Sequence, residues 1–168
     1  MMRSVWLTDL IVGTRQTIAG TVYGTIVVMS AVTAGARAEH HLWDLAVIAA
    51  VTVLVFWVAH VYSLGLGESL KMGRRLTAGE VMVIARQEFS IPLAGVLPVA
   101  MIVLGAVGLV ADNTALWLAV GVGVAVLTVQ GVRYARLEQL SQTGTILTVA
   151  VNLVLGLVLV LLKALLAH

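Results

Sequence analysis

The chain contains no cysteine, which excludes disulfides, thiol catalysis and thiolate metal sites. Only two prolines occur and there is no low-complexity tract, so no stretch has the composition of a disordered linker. Charge is scarce: 11% of the 168 residues are charged, where a soluble domain carries about a quarter. That is too little polar surface to cover a soluble fold. No segment alternates polar and apolar residues over the roughly ten positions that a membrane β-barrel strand needs. The chain does contain long apolar runs. With 61% hydrophobic residues and a mean hydropathy of +1.08, the composition is that of an integral membrane protein whose first partner is the lipid bilayer. The net charge of +2 and the pI near 9.4 reflect basic loops rather than a nucleic-acid surface, because the basic residues form no soluble patch.

A helix crossing the hydrocarbon needs roughly 20 apolar residues. Five segments meet that need, at about 17–35, 45–66, 91–111, 115–132 and 144–166. The expected fold is an all-α membrane protein, one domain over residues 1–168, without an internal repeat. The start of the chain has no short apolar core ahead of a cleavage site, so no removable signal peptide is expected. Loop charges then orient the bundle. With the N-terminus inside, Arg3, Arg15, Lys71, Arg74, Arg75, Arg86, Arg133 and Arg136 fall on the cytoplasmic side. Only Arg37 and Lys163 fall on the other, and eight against two follows the positive-inside rule.

The inner loop between the second and third spans has its own pattern. "TAGE" (77–80) is a capping box, with Thr77 at the N-cap and Glu80 three residues on. The residues that follow alternate apolar and charged at helical spacing, which predicts a short amphipathic helix over 78–89 on the inner interface. Pro92 sits where a first-turn proline is tolerated, and Pro98 falls inside the third span. "DNT" (112–114) separates the third and fourth spans, with Asp112 or Asn113 placed to cap the next helix. Trp6, Leu7, Leu10 and Ile11 predict a further surface helix near the start.

Polar residues inside spans carry the functional question, since each must face protein or water. In the first span Thr17, Gly20, Thr21, Gly24 and Thr25 share one face, and Gly20 with Gly24 allows close helix approach. In the fifth, Thr145, Thr148, Asn152, Gly156 and Lys163 fall on one face. Each stripe either lines an aqueous path or packs helices. His60 lies ~9 Å from the inner end of the second span and Asn152 ~12 Å from that of the fifth. Gln130 and Ser90 lie nearer the inner surface. These residues form an expected polar layer in the cytoplasmic half, with Glu68 and Glu88 at its mouth. There His60 either relays protons or serves as a neutral hydrogen-bonded group, with Trp57 and Tyr62 packed in the inner leaflet.

Other chemistry is not expected. "AEHHLWD" (38–44) holds Glu39, His40, His41 and Asp44, but adjacent histidines do not easily share a tetrahedral site. It reads as a solvated outer loop with Trp43 as anchor, and Trp117 reads as a second anchor. No metal or cofactor is expected. The serines lack a nearby His–Asp pair, and no phosphate loop or dinucleotide fingerprint is present. An enzyme is therefore not expected. The leading expectation is a homo-oligomeric channel or small-ion pathway. A non-transporting accessory or scaffold subunit is the alternative.

"TVYGTIVVMS" (21–30), "VFWVAHVYSLGLGES" (55–69), "VLPVAMIVLGAVGLVADNTALWLA" (96–119) and "GVRYARLEQL" (131–140) give the chain a resemblance to small multi-pass membrane proteins of actinobacterial type. The resemblance covers most of the chain. It implies a bacterial plasma-membrane setting and one compact bundle, and it assigns no catalytic residue.

Overall fold

The computed structural model describes residues 15–38 and 41–166, with side chains in the last helix described as far as Val158 and again at Leu161. The expected surface helix around Trp6, the position of Glu39 and His40, and the side chain of Lys163 lie outside the described residues. Within them the chain forms six helices and no strand: α1 (Arg15–Ala38), α2 (Leu42–Met72), α3 (Ala78–Gln87), α4 (Ser90–Ala106), α5 (Asp112–Leu137) and α6 (Gln142–Leu166).

Three of these, α1, α2 and α5, are long and apolar enough to cross a membrane. The number becomes four if α3 and α4, which meet at a 45° bend, count as one broken span. The apolar part of α6 described here runs from Gln142 to Val158. The expected third span, 91–111, is shorter than read from the sequence. α4 ends at Ala106, and the turn that follows uses Gly108 at a φ of 77°. Only glycine adopts that left-handed conformation without strain. The next helix begins at Asp112 itself, with Ala111 as N-cap and no side-chain cap. Asp112 thus enters the first turn, where its charge suits the helix dipole, rather than capping from outside.

α1 is the hub. It packs against α2, α4, α5 and α6, while α4 also packs on α2 and α5. The largest apolar core joins Val28, Met29 and Val32 of α1 to Leu45 and Ala49 of α2, Ile102 of α4, and Val120 and Leu127 of α5. Most of these come from the later half of α1, the start of α2 and the later half of α4. The core therefore sits toward one end of the bundle, and the polar residues of the next subsection lie toward the other. Outward faces are apolar: Val51, Val55 and Val58 of α2 and Ile146, Leu147 and Val154 of α6 are all exposed. Trp43 and Trp117, at the starts of α2 and α5, are also exposed.

The capping box at α3 forms as the sequence indicates. The Thr77 amide donates to Glu80 Oε2 at 2.7 Å, and the Glu80 amide donates to Thr77 Oγ1 at 3.4 Å. Arg74 joins it, its Nη2 2.7 Å from Glu80 Oε1. The guanidinium hydrogen bonds, followed by those from Thr77, hold the Glu80 carboxyl down at about 2, from an ordinary 4.5. A carboxyl lowered by folding stabilises fully above its unfolded value and loses that effect as pH falls through the folded one. Amide exchange protection of α3 should therefore weaken between pH 4.5 and 2 in the native chain. In Glu80→Gln it should be weaker throughout and flat over that window, and a native chain that is equally flat would count against this anchor.

Candidate functional site

The polar cluster is built where α1 begins, α2 approaches its end and α4 starts. Glu88 occupies the bend between α3 and α4, and it is 5% exposed. A carboxylate removed from water requires compensating partners. Gln16, from the first turn of α1, donates through Nε2 to Glu88 Oε1 at 2.7 Å. On the other side His60 Nε2 of α2 lies 3.5 Å from Glu88 Oε2.

The apposition follows from glycine. A Cβ at Gly24 would lie 2.9 Å from both Ile91 Cα and Ile91 C, and one at Gly20 would meet Ser90 Oγ. Only hydrogen at those two positions lets the first turn of α4 lie against α1. Gln16 precedes Gly20 by four residues and shares its face, so the same approach delivers Glu88 to the Gln16 amide.

His60 is held from two sides. The Tyr23 ring of α1 lies 5.4 Å from the imidazole at 30°, and Phe56 lies 6.5 Å from Tyr23. One turn before His60, Trp57 Nε1 donates to the Ala85 carbonyl of α3 at 3.3 Å. The Trp57 ring also meets Phe89 edge-on at 5.8 Å. Trp57 therefore fixes the bend that carries Glu88. Tyr62, by contrast, is 71% exposed.

The expected layer is thus divided. Glu88 is not at a vestibule mouth: it is buried and adjacent to His60, because the bend turns it inward against α1 and α2. Glu68 is the outlying one, in an exposed pair with Lys71 at 3.4 Å. Asn152 does not join His60, since α6 packs on α5 and α1 while α2 packs on α1 and α4. Its amide donates to the Thr148 carbonyl at 3.0 Å and lies against Gly131, where a Cβ would be 3.1 Å from Asn152 Nδ2. Gly156, one turn on, meets Val124 in the same helix contact. Thr145 bonds back to the Ser141 carbonyl at 3.1 Å. In α1, Thr21 and Thr25 bond back to Thr17 and Thr21, each at 2.7 Å. Gln130 is 7% exposed, and among the described residues its Oε1 has no hydrogen-bond partner, as is true of Ser90 Oγ.

Sequence reasoning did not single out Gln16 and Tyr23. Their signal was nonetheless present. Gln16, Gly20, Tyr23 and Gly24 recur at helical spacing, so one face of α1 bears an amide, a phenol and the two glycines. No protein-family model, no curated protein and no solved structure matches the chain, so the functional reading rests on the geometry of this cluster.

Proposed function

We propose that the chain is a multi-pass membrane protein that moves a small cation, with the Glu88 cluster as its intramembrane binding site. The observation that carries this reading is a buried carboxylate at a helix bend, met by an amide and an imidazole from two other helices. Ionisable groups within spans are costly and mark ion pathways. No catalytic role is assigned to any residue.

In this reading α1, α2, α4, α5 and α6 are five spans, with α3 on the inner surface. The N-terminus is cytoplasmic, following the basic loops, and the cluster then lies in the cytoplasmic half. The setting is a bacterial plasma membrane, as the resemblance implies. The small-residue stripe of α1 is occupied by α4, so a homo-oligomer would meet through the exposed apolar faces of α2 and α6.

One observation favours a second reading, that of an accessory or scaffold subunit. The stripes containing Gly20, Gly24, Asn152 and Gly156 serve helix contacts within the chain. Purified protein in liposomes, with sodium, potassium and proton gradients applied in turn, separates the two. Flux of at least one cation above protein-free vesicles is expected, and silence across voltage and pH would leave the scaffold.

A further inference from the structure

Resting on that reading, we propose that the ion bound at this site is the proton, held by the Glu88 carboxyl and exchanged with His60. The donor set does not suit a divalent metal cation. Calcium takes six to eight oxygens, and magnesium a near-octahedral oxygen shell. Here a single carboxylate faces an amide N–H₂ and an imidazole nitrogen. Among the described residues no three His, Asp or Glu side chains gather as metal ligands would. A carboxylate beside an imidazole instead forms a pair that can hold one proton in either of two places.

Exposure gives the pair a direction. The His60 side chain is 36% exposed and that of Glu88 only 7%, so the imidazole is the outer member of the pair. The transfer is simple. The Nε2–H bond of imidazolium breaks, an O–H bond forms at Glu88 Oε2, and the charged pair becomes a neutral one. Gln16 keeps its bond to Oε1 throughout and holds the carboxyl in place. The groups facing this exchange are His60 from α2 and, against the imidazole, Tyr23 from α1. Arg86 of α3 is exposed.

The test uses the full chain in liposomes, with ion flux and infrared spectra recorded on the same vesicles. Infrared difference spectra against pH should show a carboxyl that titrates. That signal should vanish in Glu88→Gln, persist in Glu88→Asp and move along the pH axis in His60→Gln. Proton flux should fall to the protein-free level in Glu88→Gln and lose its native pH dependence in His60→Gln. Sodium or potassium flux without a titrating carboxyl overturns the proton while leaving the cation pathway. A titrating carboxyl with the expected response to both variants, but no flux of any ion, supports the proton site and removes the transport reading. A carboxyl whose titration His60→Gln does not move overturns the exchange, and this readout stands even if Glu88→Gln fails to fold.

Discussion

Gly24→Ala is expected to destabilise the bundle by about 3 kcal/mol, at the upper end of the usual cost of overpacking. The new methyl would meet the backbone of Ile91, its Cα and carbonyl carbon both at 2.9 Å. Backbone cannot rotate away, so α4 must withdraw from α1. Gly123→Ala is the matched control. Its methyl would meet the Met29 side chain, with Cγ at 2.7 Å, and a thioether chain with three rotatable bonds can partly repack. It should cost clearly less. Titration with SDS in mixed micelles, followed by tryptophan fluorescence, measures both, and Trp57 against Phe89 reports on the bend itself. Equal losses would mean that the close approach of α1 and α4 is not what sets the fold. Withdrawal of α4 should also separate Glu88 from Gln16, so on the proposed function Gly24→Ala is expected to lose flux together with stability.

Gln16→Leu is expected to cost about 1.5–3 kcal/mol, the range for a hydrogen bond to a charged group. It removes the donor 2.7 Å from Glu88 Oε1 and leaves an acceptor buried beside a leucine. The same change in a Glu88→Gln background should cost much less, because an amide in place of the carboxylate is cheaper to leave partly unpaired. The difference between the two, a coupling above about 1 kcal/mol, measures the interaction directly. Additive effects would show that Gln16 acts by packing alone. Both measurements use the same SDS titration.

Local features were legible in the sequence and long-range ones were not. The capping box at Thr77 and Glu80 depends on residues three apart, and it forms as read. Helix positions followed from apolar runs, with ends shifted by up to six residues: α2 and α5 run on past the expected spans, and α4 stops short. The partner of His60 could not be read the same way. Glu88 is 28 positions away, and it reaches the imidazole only because α4 packs on both α1 and α2. Depth along a span placed His60 and Asn152 at one level, but depth says nothing about which helices are neighbours. α1 separates them. Gly20 and Gly24 were visible as a contact face, whereas the identity of the helix they contact was not.

The position of α1 has a consequence for how the protein is made. It is the least apolar of the three helices that qualify as spans by themselves, and also the most buried of them. It leaves the ribosome well before α4, its closest partner. During that interval its glycine and threonine face is turned to lipid with nothing to cover it. Retention of α1 in the bilayer therefore depends on helices still to be synthesised. Nascent chains truncated before α4 should be the forms that membrane proteases remove.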